Sequence, residues 1–188
     1  MKHMPQKPRL KVKYEEDIVP ALKERLGLRN VMQVPRIEKV CISMGVGSAR
    51  DEPALLEQGM AHLSRVAGQK AVVTKARKAI SAFRIRRGFN VGCRVTLRKN
   101  KMYEFLDRLI TVAIPRIRDF RGLNPKGFDG RGNFAFGVQE QLVFPEISPD
   151  QVTQTQGMNI VITTNAKEDK KGLELLKAFG FPFRKSAE

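Results

Sequence analysis

The sequence predicts an α+β fold of two layers, a mainly antiparallel sheet with helices packed on one face and a basic open face. Three observations predict it. Short runs alternating apolar and polar residues are interleaved with stretches that carry an apolar stripe at helical spacing. Several alternating runs have only one apolar face, the pattern of a sheet covered on one side. No repeat or linker-like stretch divides the 188 residues, which fit one domain with extensions.

Residues 1–12 form a basic, Pro-containing lead, expected to stay flexible until it meets a partner; residues 13–185 are the expected domain. Tyr14, Ile18, Leu22 and Leu26 make a helix stripe that Pro20 kinks or truly starts and Gly27 ends. Residues 36–46 read as a strand, with Val40, Ile42 and Met44 on one face and Lys39, Cys41 and Ser43 on the other. Gly45-Val46-Gly47 turns the chain. Asp51 and Pro53 signal a helix start, and Leu56, Met60, Leu63 and Ala67 form its stripe, closed by Gly68. A short strand follows at 70–74.

Residues 75–89, KARKAISAFRIRRGF, fit neither period and read as a long exposed loop, so the chain is expected to project over 74–89. Residues 90–99 alternate again. Val91, Cys93, Val95 and Leu97 share one face, and Gly92, Arg94, Thr96 and Arg98 the other. Asn100 is the expected cap of a helix with core positions Phe105, Leu106, Leu109, Ile110 and Ala113, interrupted at Pro115. Residues 122–132 are Gly-rich and irregular. Phe134, Phe136, Val138, Leu142 and Phe144 alternate along a further strand, and Met158, Ile160 and Ile162 mark a last one. Asn165 with Glu168 reads as a capping box for a helix bearing Leu173, Leu176 and Phe179. Gly180 stops it, and residues 181–185 are a short tail.

Charge is distributed unevenly. The chain has 35 Lys or Arg against 19 Asp or Glu, a net of +16, and residues 58–103 supply twelve cations and no carboxylate. Such a one-sided field is costly for a compact chain unless a polyanion neutralises it, and a surface tuned for solubility mixes both signs.

Other chemistries have little material. Cys41 and Cys93 are far apart in strand-like runs, the setting of small apolar residues rather than of a metal or catalytic thiol. His3 and His62 are the only histidines, and neither has a ligand-spaced partner. Gly45-Val46-Gly47 follows a strand and precedes a helix, but Arg50 stands at the third-glycine position and no acidic residue ends a second strand about 20 residues on. Gly130-Arg131-Gly132-Asn133-Phe134-Ala135 fits a G-x-G-x-x-A string but opens a strand. Glu15, Glu16 and Asp17 read as a helix-start cluster. The chain is expected to be no enzyme, to take no cofactor and to bind no metal. No apolar run is long enough to span a membrane, no secretory h-region is visible, and a cytoplasmic site is expected.

RNA fits better. The basic residues sit on a sheet and a loop rather than along one helix face, which suits folded RNA more than a DNA major groove. Phe83 and Phe89, set among Arg84, Arg86 and Arg87, are placed either to stack on bases or to pin the loop to the core. A free single-stranded-RNA chaperone using the same sheet is the alternative within this chemistry, and a nucleotide-dependent enzyme the alternative outside it.

Four stretches carry a resemblance: VMQVPRIEKV (31–40), KARKAISAFRIRRGFNVGCRVTLR (75–98), RLITVAIPRIRDFRGLNPKGFDGRGNF (108–134) and EQLVFPEI (140–147). Together they closely resemble the ribosomal protein L-five family of the bacterial large subunit, in order and over residues 14–185. The resemblance implies a structural ribosomal protein that binds 5S rRNA and helps attach it to 23S rRNA in the central protuberance. It also implies contact with P-site tRNA and with small-subunit head protein S-thirteen, beside neighbouring 5S-associated proteins. Gln69 and Thr96 match family positions that contact 5S rRNA. Ser43 stands where relatives usually carry Asn and keeps a donor and acceptor on a shorter stem. Lys39, Arg94 and Arg98 join this set from strand alternation. The loop aligns with the segment aimed at tRNA, with Lys75, Arg77, Lys78, Phe83, Arg84, Arg86 and Arg87 as contacts. The intersubunit bridge is expected within residues 122–150.

Overall fold

The structure, a computed structural model, describes residues 7–47 and 52–184. Expectations placed on residues 1–6 (His3 among them), Arg50, Asp51 and Lys185 lie outside the described residues.

Residues 9–25 are helical throughout, as α1 (Arg9–Lys13), one π turn (Tyr14–Ile18) and α2 (Val19–Arg25). The expected lead is therefore helical from Arg9, with Leu10 buried. The π turn carries Pro20 without a break. Proline lacks an N–H and its ring clashes with the carbonyl four residues back. Here Val19, just before the proline, donates to the carbonyl of Tyr14, five residues back, which widens the turn. The same device recurs at Pro115: after α4 (Lys99–Arg108), a π turn (Leu109–Ala113) has Ile114 donating to the Leu109 carbonyl, and a 3-10 turn (Ile114–Arg116) ends the helix.

The strands β1 (Ile37–Gly45), β2 (Val72–Lys75), β3 (Asn90–Leu97), β4 (Phe134–Val138) and β5 (Met158–Thr164) form one mainly antiparallel sheet, ordered β2-β3-β1-β5-β4. The remaining helices are α3 (Pro53–Ala67) and α5 (Asp169–Phe179). The chain gathers into two compact units: one of residues 1–40, 98–136 and 161–188, the other of 41–97 and 137–160.

In the first unit α1 packs on α4 and α2 on α5. Leu22, Phe105, Leu106, Leu109, Ile162 and Leu176 are buried there. The Tyr14 ring stacks on Phe179 with centroids 5.4 Å apart, and its hydroxyl donates to the Pro35 carbonyl at 3.1 Å. Burial pushes the Tyr14 phenol up to about 12.

Two expected caps are absent. Asn165 is occupied elsewhere: its side-chain oxygen accepts the Arg36 N–H at 2.6 Å, and its own N–H donates to the Arg36 carbonyl at 3.2 Å. Glu168 pairs instead with Lys171 at 2.9 Å, and the Asp169 carboxylate accepts the N–H groups of Gly130 and Gly132. Asn100 does not cap α4 either. Arg98 is the N-cap residue without a side-chain cap bond, and Asn100 Oδ1 accepts from Lys11 Nζ at 3.4 Å. The short tail is held as far as Arg184: Phe181 is buried, and the Arg184 N–H donates to the Leu123 carbonyl at 2.9 Å.

In the second unit α3 packs on β3, and Gly68 closes α3 at φ +61, a conformation glycine adopts without steric cost. Leu56, Leu63, Val66, Ile42, Met44, Val95 and Leu97 are buried. The alternation of Phe134 to Phe144 does not extend one strand. β4 ends at Val138, and residues 141–143 form a 3-10 turn because the Gln141 side chain turns inward. Gln141 is fully buried, donates from Nε2 to the Gln154 carbonyl at 2.9 Å, and accepts the Gln156 N–H on Oε1. Gln141→Ala should leave both backbone groups unsatisfied and destabilise the protein by roughly 2–3 kcal/mol, read as a lower urea midpoint at unchanged m.

Cys93 is buried, which pushes its thiol from 9.0 up to about 11. The unfolded chain therefore loses this proton first. Stability should fall as pH rises from about 9 towards 11, in the same direction as the Tyr14 shift, and a Cys93→Ala variant should show a shallower fall in pH-dependent urea unfolding.

Candidate nucleic-acid interface

On the open face of the sheet the second unit presents a connected polar group. Thr96 lies on β3, between β1 and β2 in the sheet. Its backbone carbonyl accepts from Gln69 Nε2 at 3.3 Å, and its hydroxyl donates to Cys41 Sγ at 3.9 Å. Gln69 follows Gly68 in the loop after α3, so the left-handed turn at Gly68 brings an exposed amide to the edge of this group. Ser43 is half-buried two residues from Cys41 on β1, and Arg94 is exposed two residues from Thr96 on β3. Opposite residues in an antiparallel pair share a face, so the Val72↔Arg94 and Thr74↔Gly92 pairs extend this surface onto β2.

Gly92 belongs to the same face for a steric reason. A Cβ there would lie 2.3 Å from the Met44 carbonyl oxygen, so only glycine allows the backbone of β1 to approach this closely. Lys39 and Arg98 belong to the first unit. Lys39 is half-buried on β1; Arg98 is exposed but follows the last residue of β3 rather than lying within it.

The expected loop is a hairpin extension. Beyond β2, the Ala76 N–H donates to the Phe89 carbonyl at 2.8 Å, and the Gly88 N–H to the Ala76 carbonyl at 2.9 Å. Ile80 and Ile85 exchange both backbone hydrogen bonds, at 2.9 and 3.1 Å, closing a tip of four residues in which Arg84 adopts φ +51. Lys75, Arg77, Lys78, Arg84, Arg86 and Arg87 are all exposed. Phe83 is 69% exposed at the tip, so it does not pin the hairpin to the core, whereas Phe89 is half-buried. An exposed aromatic ring among guanidinium groups is suited to stacking on a base or ribose.

Sequence reasoning passed over Cys41, Val72 and Thr74. Cys41 read as an inert strand residue, and VVTK is too short to show a period. Within residues 122–150, Asp129 serves the local fold. The Asn133 side chain, then the Arg131 N–H, hold its carboxyl below the usual range. Among the described residues no group of three or more His, Cys, Asp or Glu is placed to hold a metal, and no helix is long and apolar enough to cross a membrane.

Residues 30–86 match the family model described as ribosomal protein L5, and residues 90–183 match the C-terminal model of the same family. The large ribosomal subunit protein uL5 of Psychrobacter cryohalolentis is 56% identical over 94% of this chain and 99% of its own length. The chain belongs to the ribosomal protein L5 family. Similar relatives include the uL5 proteins of Nitrosococcus oceani, 54% identical over 94% of this chain and 97% of its own, and of Caldanaerobacter subterraneus, 53% identical over 94% and 99%. Family membership makes the protein a structural constituent of the large ribosomal subunit, located with the ribosome in the cytoplasm, and not an enzyme.

Proposed function

We propose that the protein binds 5S rRNA on the open sheet face of the second unit through Ser43, Gln69, Arg94 and Thr96, that Lys39 and Arg98 of the first unit also contact this RNA, and that the protein so helps attach it to 23S rRNA. The observation that carries this reading is the Gln69–Thr96–Cys41 chain of hydrogen bonds. It fixes a donor amide and a hydroxyl on a face otherwise open to a partner. The hairpin extends toward P-site tRNA with its cations and Phe83, and residues 122–150 carry contacts to S-thirteen and to 5S-associated neighbours. Ribosomal membership and the one-sided charge of residues 58–103 support both RNA contacts.

Cys41 gives a direct test. It is half-buried on the proposed contact face, while Cys93 is buried and protonated at pH 8. A maleimide should label one thiol in the free folded protein and two after denaturation. Saturating 5S rRNA should slow labelling of Cys41 several-fold, and an unchanged rate in the complex would contradict the sheet-face site.

A further inference from the structure

The tip of the hairpin gathers apolar groups that an RNA contact leaves without a partner. Ile80 and Ile85 lie opposite each other and exchange both backbone hydrogen bonds, so their side chains share one face at the same height. Between them a 3-10 turn (Ser81–Phe83) carries Phe83 at the end of the projection. Phe83 is 69% exposed and Ile80 46%. Stacking on a base would use the Phe83 ring, but it gives the aliphatic Ile80 side chain nothing to bury against. Behind this apolar end the charge is all of one sign. Lys75, Arg77 and Lys78 precede Ile80, Arg86 and Arg87 follow Ile85, and all five are exposed. Residues 75–89 contain no carboxylate.

The order of these groups indicates the partner. Because Ile80 and Ile85 stand level, the cations of both arms lie behind the tip and on both sides of it. An apolar end backed by a band of cations matches the layering of a lipid surface, with acyl chains inside and phosphates outside. Arg84, within the tip at φ +51, has an apolar stem long enough to keep its head at the phosphate level. A cleft on a protein would take Phe83 and reach the cations of one side, whereas a plane meets both arms at once. We propose that, off the ribosome, the hairpin tip seats Phe83 and Ile80 in the interface of an anionic lipid bilayer, with Lys75, Arg77, Lys78, Arg86 and Arg87 among its headgroup phosphates. The contact is peripheral and needs no helix that crosses the membrane. It uses the same tip as the proposed tRNA contact, so the two exclude each other, but it rests on neither RNA reading.

The chain contains no Trp, so Phe83→Trp places a single reporter at the tip. The full chain is titrated with phosphatidylcholine vesicles, with and without about 40% phosphatidylglycerol, to supply or remove the anionic surface. Emission should shift to the blue with the anionic vesicles alone, and lipids brominated on the acyl chain should quench it. Ile80→Ser with Phe83→Ser should bind these vesicles at least about tenfold more weakly, since neither apolar group is then buried. Arg77→Gln, Lys78→Gln, Arg86→Gln and Arg87→Gln together should weaken binding roughly a hundredfold, each cation near an anionic surface adding several-fold. Unchanged urea midpoints in both variants separate lost contact from lost folding. Met32→Ser, which removes an apolar side chain 77% exposed outside the hairpin, should bind as wild type does. Absence of the blue shift, or wild-type affinity in the Ile80→Ser, Phe83→Ser variant, would overturn the proposal. So would a blue shift with calcium-loaded calmodulin, an acidic protein with an apolar groove, and none with vesicles, which would make the occupant a protein. Preference for 5S rRNA and function that depends on tRNA are read in separate assays, so neither RNA reading falls with this one.

Discussion

Gly92→Ala should destabilise the protein by about 3 kcal/mol, at the upper end of what overpacking costs, and should weaken RNA binding as well. The cause is local and rigid. The added methyl would lie 2.3 Å from the Met44 carbonyl oxygen, with Gly45 Cα and Met44 C each 3.3 Å away. These are backbone atoms, which no rotamer change can remove. The Val46 N–H donates to the Val91 carbonyl at 3.0 Å beside the same crossing, so relief by separating the strands would also cost a hydrogen bond. β1 and β3 carry Cys41, Ser43, Arg94 and Thr96, so their displacement disturbs the contact face. Gly47→Ala is the control, because a Cβ at Gly47 meets nothing within 4 Å. Urea unfolding of both variants checks the claim: a midpoint loss confined to Gly92→Ala is the expected result, and equal midpoints would contradict it.

Gln69→Ala combined with Thr96→Val should lower 5S rRNA affinity by about two orders of magnitude, since each buried polar contact removed from an interface costs roughly 1–2 kcal/mol. Neither substitution changes net charge, so the salt slope should stay near the wild-type value while affinity drops. Arg77→Gln, Lys78→Gln and Arg84→Gln together should do the reverse. They leave the Gln69–Thr96 link in place, spare preference for 5S rRNA, and impair function that depends on tRNA. Filter binding of both variants to 5S rRNA, with peptide synthesis on reconstituted subunits, separates the two surfaces. Loss of 5S rRNA preference in the hairpin variant would refute the division.

The sheet was legible because its alternation is strict. Val40, Ile42 and Met44, and Cys93, Val95 and Leu97, fall on the buried face as their spacing predicts. The helix stripes were equally plain, but the way each helix carries its proline was not, since a π turn changes which carbonyl is used without changing the apolar pattern. Capping failed for another reason. Asn165 and Asn100 are good caps in isolation, yet Arg36 and Lys11, distant in sequence, claim their side chains. Gln141 and the strand end at Val138 were hidden because an apolar period says nothing about an amide that turns inward for two backbone partners.

The candidate site divided along the same line. The positions of Arg94 and Thr96 followed from period two, and the exposed hairpin from its broken pattern. The rungs inside the hairpin did not, because Arg84 adopts a left-handed conformation that its residue type does not announce. The Gln69–Thr96 link joins residues 27 apart through a backbone carbonyl, and no pattern of side chains encodes that.

Competition binding at one fixed salt concentration, between labelled 5S rRNA and an unrelated folded RNA of the same length, decides whether the sheet face recognises 5S rRNA. Preference for 5S rRNA by at least about tenfold in wild type, abolished in the Gln69→Ala, Thr96→Val variant, is the result expected of a sheet face that recognises this RNA. Equal affinity of the wild-type protein for both RNAs would contradict it and leave only a basic surface with no specific partner.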